Sequence, residues 1–381
     1  MSGKSITVFL AASLFAAGAD AQIFGPGGGQ QVMQQPSISH RIDLPGDAPV
    51  ALVSDEWGGS AAAVRGGAYQ LDVRLALSLR NTGQRRIRGI TLTVISQEAT
   101  PGGKGSISIP SLDVGPGETF PIRGDLRLLR PLGGNSGPMV EVTLDGILFD
   151  NLTFWGPNKL NSRRQMMVWE LEARRDRQHF KSVYERGGRD GLQKEMLESM
   201  SREADRPQFG AQVMRGRPTN NAPEQEVKFA FLHFPGAPVE AMDGTVTVAG
   251  NEARSPKLVV HNRSSRPVQY LEIAWIVKDQ QGHEFLAATV PAEKRMPSQS
   301  STQIIPDAVL RLESKTPVQS ISGYVSHVEF TDGSLWIPAR TEIEELAARR
   351  VIAPSPEEQR LVQIYRKRSL NAVIDELKKF Q

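Results

Sequence analysis

No cysteine occurs among the 381 residues. That absence excludes disulfides, thiolate nucleophiles, cysteine-ligated zinc, iron–sulfur clusters and lipid attachment through an N-terminal cysteine. Aromatic residues make up only 6% of the chain, and histidine occurs six times, at His40, His179, His233, His261, His283 and His327. None of these stands in an H-E-x-x-H or other close metal spacing. A G-x-S-x-G elbow is also absent, so a serine hydrolase of that kind has no handle here. Beyond the N-terminus no apolar run approaches the ~20 residues of a membrane-spanning helix. Net charge is only +3, too small to imply an anionic membrane or nucleic acid by itself, and no nucleic-acid partner is expected.

Glycine (35) and proline (25) are abundant, and charged residues (23%) and apolar residues (39%) stand in globular proportion. Such a chain is rich in turns and poor in long coiled coil. Its length predicts two or three domains at ~150 residues each.

Residues 1–21 read as a secretory signal peptide. Lys4 supplies the positive start, Ile6 to Gly18 the apolar stretch, and Ala19-Asp20-Ala21 an A-x-A cleavage site. The expected destination is periplasmic or extracellular, with no transmembrane segment in the mature chain. Residues 22–38 are rich in Gly, Gln and Pro and read as a flexible leader, because they offer too little apolar area to offset chain entropy.

The remainder is organised by self-similarity. A shift of 181 residues places Asn81 on Asn262, Arg85 on Arg266, Leu92 on Ile273, Phe149 on Phe330, Trp155 on Trp336 and Pro157 on Pro338. Tyr184 then falls on Tyr365, Phe180 on Leu361 and Met196 on Leu377. Rare residues holding one spacing for so long argue for a doubled unit. Each copy begins with strands: Leu71, Val73, Leu75, Leu77 and Leu79 alternate, as do Leu271, Ile273 and Trp275. Turn clusters such as Asn81-Thr82-Gly83 and Gly115-Pro116-Gly117 separate the strands. Short strands at this spacing, with no intervening helix, fit an antiparallel sandwich.

Residues 258–282, LVVHNRSSRPVQYLEIAWIVKDQQG, add a resemblance. A strand ends at Asn262-Arg263-Ser264, an alternating strand follows, and Asp279-Gln280-Gln281-Gly282 closes it. This resembles the immunoglobulin-like β-sandwich modules of bacterial exported proteins. The resemblance implies a fold and no activity.

Each copy then turns helical. Met167, Leu171, Phe180, Val183 and Tyr184 keep near-helical spacing until Gly187-Gly188, and a second short helix follows from Asp190 to Met200. In the second copy a helix is expected from Glu342 to Arg350. Another begins at Ser355, with Pro356 at its first position and Glu358 completing a capping box, and carries its apolar face through Leu377. The expected layout is therefore mainly β with α additions. Two immunoglobulin-like antiparallel β-sandwiches, at 39–157 and 227–340, are each followed by a helical segment, at 158–205 and 341–381, with a linker at 206–226.

Candidate chemistry is sparse. His327 and Glu329 share one strand face, but no third ligand is visible. Asp145, Asp150, Glu329 and Asp332 lie near the Trp155 and Trp336 motifs, where a carboxylate pair would suit a glycosidase; Asp150 and Asp332 read more naturally as turn formers. The tryptophans suit a core or interdomain place better than sugar stacking. Basic clusters at Arg85–Arg88, Arg163-Arg164, Arg174–Arg177 and Tyr365–Arg368 read as solvated helix and strand faces, with an anionic-glycan or lipid-headgroup site as the sharper alternative. Asn151-Leu152-Thr153 and Asn262-Arg263-Ser264 fit the glycosylation acceptor pattern. No catalytic, cofactor-binding or metal residue is assigned, and no cofactor is expected. The expected function is a non-catalytic binding or scaffold protein acting through a protein partner. A carbohydrate- or envelope-polymer-binding protein and an exported carboxylate-dependent hydrolase stand as alternatives.

Overall fold

The computed structural model describes residues 38–133, 137–206, 211–214, 222–306, 309–312 and 316–380. The signal peptide and the leader lie outside them, except Ile38, which is buried in the first core. In chain order, β1 (His40–Asp43), β2 (Val50–Glu56), β3 (Ala61–Arg65), β4 (Ala68–Asn81), β5 (Ile87–Ile95), β6 (Lys104–Ile109), β7 (Thr119–Pro131), β8 (Val140–Phe149) and β9 (Phe154–Trp155) precede α1 (Ser162–Asp205). Then come β10 (Ala211–Met214), β11 (Glu224–Phe231), β12 (Val239–Ala249), β13 (Glu252–Asn262), β14 (Val268–Asp279), β15 (Glu284–Ala292), β16 (Ser300–Ile304), β17 (Val309–Leu312), β18 (Val318–Phe330) and β19 (Leu335–Trp336). Last are α2 (Arg340–Glu345), a 3-10 turn (Ala347–Arg350), α3 (Pro356–Lys367) and α4 (Leu370–Lys378). The protein is thus mainly β, in several sheets, with helical additions. No helix of the described residues is long and apolar enough to cross a membrane.

The alternating leucines of β4 do what period two dictates: Leu71, Val73, Leu75, Leu77 and Leu79 are all buried. They face Ile90, Leu92 and Val94 of β5 and Val142 and Leu144 of β8 in one shared core. Each such side chain removed from water contributes about 1.5–3 kcal/mol. Two sheets enclose that core. One runs β1-β8-β5-β6 with β9 on β8, the other β2-β4-β3 with β7 on β4. In the second half β11 pairs with β12 through Glu224–Lys228 and with β18 through Phe229–Phe231. That strand joins ten strands into one nearly closed sheet around a core centred on Trp275, whose ring meets Phe229 edge-on at 5.0 Å.

Pairing repeats in register between the halves. Leu92 pairs with Leu144, and Ile273 with Val325. Trp155 pairs with Ile147, and Trp336 with Val328. One strand in each half departs from the expected antiparallel arrangement: β1 runs parallel to β8, and β11 parallel to β18. Alternation reports which face a residue takes, not which way its strand runs. The stretch 206–226, read as a linker, supplies β10 and the start of β11, and β10 lies antiparallel to β17.

Helix α1 is 44 residues long and is broken at Gly188, whose φ of 61° and ψ of −152° lie outside helical space. Its first part rests Met166 and Met167 on Leu148 of β8. Past the break, Leu192 and Met196 join Phe180 and the apolar faces of α3 and α4, including Leu361, Val373 and Leu377. Helices from the two halves therefore share one core. The single helix expected from Ser355 onward is two. Ser369 starts α4, its hydroxyl accepting the Ala372 N–H at 3.3 Å. Ser355 caps α3 and Pro356 opens it as expected. The capping box does not close, because the Glu358 carboxylate turns instead to Arg340, Ser199 and Arg202.

Candidate functional site

Two basic clusters that are distant in sequence converge. Arg86 and Arg88 stand at the start of β5, and Glu170, Arg174, Arg177, Gln178 and Lys181 recur along one face of α1. With Asp150 in the turn after β8 and Leu377, Lys379 and Phe380 at the end of α4, they line a groove of about 590 Å³. Helical spacing explains the α1 contribution, since positions four, seven, eight and eleven residues on lie on one face of the helix.

The groove's floor is ionic and ordered. Glu170 is 2% exposed; its Oε1 accepts from Arg174 Nε at 2.8 Å and Arg177 Nη2 at 3.2 Å. Asp113 Oδ1 accepts from Arg86 Nη1 at 2.9 Å and Arg88 Nη1 at 2.6 Å. Arg174 Nη2 also donates to the Asp150 carbonyl. The Phe380 ring lies over three guanidiniums, 4.8 Å from that of Arg88, 4.0 Å from that of Arg177 and 5.9 Å from that of Arg360. Burial pulls the Arg88 pKa down from its usual value, against the opposing attraction of Glu170 and Asp113. Of the clusters expected on solvated faces, Arg88 and Arg177 are largely enclosed, while Arg85, Arg174, Arg366, Lys367 and Arg368 are exposed. The Glu170–Arg174 pair keeps its expected i,i+4 spacing, but its carboxylate is inside.

A second ionic layer ties α1 to the later helices. Asp176, fully buried, accepts from Ser355 Oγ at 2.5 Å and pairs with Arg340 at 3.5 Å. Arg177 Nη1 stands 3.4 Å from Glu357. Burial works against the charged form of Glu358, yet hydrogen bonds from Arg340 and Ser199 and the charge of Arg202 hold its pKa at about 2.

A third cluster sits where α1 crosses β14 and β18. Tyr270 donates to Glu272 at 2.9 Å, His327 Nε2 lies 3.6 Å from the same carboxylate, and the Arg164 guanidinium covers the Tyr270 ring at 3.5 Å. Burial raises the Tyr270 and Tyr324 phenols and lowers His327. Burial also pushes Glu172 up to about 7, with Asp176 and Glu272 adding repulsion and Arg175 opposing. His327 and Glu329 do share a face, but Glu329 accepts from Arg163 at 3.0 Å and Arg164 at 2.5 Å.

The other candidates separate. Asp145 holds the start of α1, accepting from Ser162 Oγ at 2.6 Å. Asp150 edges the groove, and Asp332 pairs with Arg266 at 2.5 Å on the surface. No hydrogen bond or ion pair among the described residues links any two of Asp145, Asp150, Glu329 and Asp332. Trp155 packs on the first core; Trp336 packs on the second and edge-on to Phe234 at 6.3 Å. Asn262 is fully buried and its Nδ2 donates to the Arg266 and Pro297 carbonyls, both at 2.9 Å, so its acceptor pattern is structural.

One metal-ligand set emerges that spacing along the chain hides. His179, Glu195 and Glu344 each place one ligand atom within 4.8 Å of the others. Arg202 and Arg340 reach Glu195 at 3.6 and 3.9 Å, and Arg340 and Arg349 reach Glu344 at 2.9 and 3.9 Å. Three guanidiniums already balance the two carboxylates, so a dication there meets positive neighbours.

No protein-family model matches the chain, and no curated protein matches it. A solved structure titled pT26-6p is similar at 8% identity, over 85% of this chain and 73% of that one, with a TM-score of 0.17. A score that low carries no argument about fold or function.

Proposed function

We propose that this is an exported, non-catalytic binding or scaffold protein, built from a duplicated unit of immunoglobulin-like sandwich plus helical segment. It acts through protein contacts in the cell envelope or outside the cell. Support for the duplication comes from matching corners. Asn81 Nδ2 donates to the Arg85 carbonyl and Asn262 Nδ2 to the Arg266 carbonyl, each at 2.9 Å. The Gly83 N–H returns to Asn81 Oδ1 and the Ser264 N–H to Asn262 Oδ1, each at 3.0 Å.

The observation that carries the binding role is the convergence of two arginine clusters in one groove. Its guanidiniums are held by carboxylates rather than left to move. Groups tied in ion pairs present fixed charge and donors; they do not shuttle protons. The flat faces that a sugar would stack on are not offered by Trp155 or Trp336, which pack on the cores.

Crosslinking in an envelope extract, followed by identification of the linked partner, tests this. A partner captured by the wild-type chain and lost on charge reversal of an exposed surface supports the reading. Turnover of an envelope polysaccharide that disappears in Glu172→Gln, with no partner captured, replaces it with the hydrolase.

A further inference from the structure

We propose that the arginine groove is the docking site for an acidic peptide segment of the partner, whose carboxylate takes the place that the Phe380 ring now occupies over Arg88 and Arg177. This deepens the binding role above and rests on it.

Arg88 Nε and Arg177 Nη1 are buried nitrogens without a hydrogen-bond acceptor. The nearest carboxylate oxygens, on Glu170 and Glu357, stand at 3.9 and 3.4 Å. Buried donors without an acceptor are costly, and an aromatic ring supplies attraction to the cation but no lone pair along the N–H. A carboxylate supplies both charge and acceptors, in the bidentate geometry that a guanidinium matches.

Charge favours the same ligand. Six cations line the groove against Glu170 and Asp150. With the partners Asp113, Glu357, Glu376 and Arg360 counted, positive charge remains in excess. Exposed Lys181 has no acidic partner among the described residues. A peptide rather than a free anion fits because Glu170 Oε2 is a buried acceptor that also lacks a partner, and a peptide N–H would satisfy it. A sugar polymer fits less well, since the Phe380 ring is packed against guanidiniums.

The test is fluorescence anisotropy of the full chain with a labelled octa-glutamate probe, and octa-glutamine as control. The wild type should bind the acidic probe and not the neutral one, and lose it as salt rises. The double variant Arg174→Gln with Lys181→Glu should weaken binding by about tenfold or more, a rim-charge effect. The exposed control Lys194→Glu should leave it unchanged. Phe380→Ala should tighten binding. The site is refuted if the probe fails to bind, if the double variant binds as the wild type does, if Phe380→Ala weakens binding, or if oligogalacturonate or inorganic phosphate binds more tightly than the peptide. Partner capture that survives the double variant would remove the groove assignment and leave the binding role standing.

Discussion

Ser355 and Asp176 meet at 2.5 Å, the serine hydroxyl donating to the carboxylate while its oxygen accepts the Glu358 N–H at 3.1 Å. One side chain thus caps α3 and fastens it to a buried point about a third of the way along α1. Around that contact Arg177, Arg340, Glu357 and Glu358 complete an ionic layer beneath the apolar core of Phe180, Leu361 and Leu377. Helices from both halves are held together there, and Leu335 of β19 also packs on the cluster of Leu148, Met166 and Met167.

Removing the Ser355 hydroxyl deletes a cap and strands a buried carboxylate. Ser355→Ala should cost about 1–3 kcal/mol of stability. Chemical denaturation followed by helical circular dichroism measures it; an unchanged midpoint would mean that the α1–α3 contact does not stabilise the fold.

Acid should loosen the same layer. The pKa of Glu358 is held at about 2, below its ordinary 4.5, because Arg340, Ser199 and Arg202 outweigh its burial. A depressed carboxyl contributes stability that is complete above the unfolded pKa and is lost as pH falls through the folded one. Stability should therefore decline from about pH 4.5 towards 2, and Glu358→Gln should flatten that slope. Equal acid slopes in the two proteins would contradict the assignment.

Glu172 acts in the opposite sense. Its pKa is pushed up to about 7 from 4.5, chiefly by burial. Its protonated form is favoured in the folded state, so stability falls as pH rises from about 4.5 to 7. Glu172→Gln should raise stability by about 1–3 kcal/mol above pH 7 and change little below pH 4. Thermal unfolding at the two pH values checks this, and a destabilised variant at high pH would overturn it.

Asn81 and Asn262 are interior residues whose side chains satisfy backbone groups on both sides of a turn. Alanine at either site should cost about 2–4 kcal/mol by leaving several of these groups unpaired. Similar losses at the two sites are expected from equivalent corners. A neutral effect at one of them would show that the two corners bear different loads.

Much of this fold was legible in the sequence. The alternating leucines of β4, the paired tryptophan turns, the Ser355 cap and the break at Gly187-Gly188 are local signals. Period, cap chemistry and glycine conformation act within a few residues. The parallel strands β1 and β11 were not legible, because their partners lie on β8 and β18, far along the chain. The groove was half legible. Its arginines stood out as clusters, but Glu170, Asp176 and Arg177 read as solvated. Their burial depends on α2, α3, the end of α4 and the start of β5 arriving from elsewhere. The His179, Glu195 and Glu344 set was invisible for the same reason.

The most direct test of the central claim is to nick the chain within residues 207–210, so that β10 stays with its partner β17, and to follow the fragments by size-exclusion chromatography. If the shared helical core joins the halves, both fragments should elute together at neutral pH and separate only when acid or denaturant breaks that core. Two independently eluting, folded fragments at neutral pH would contradict it.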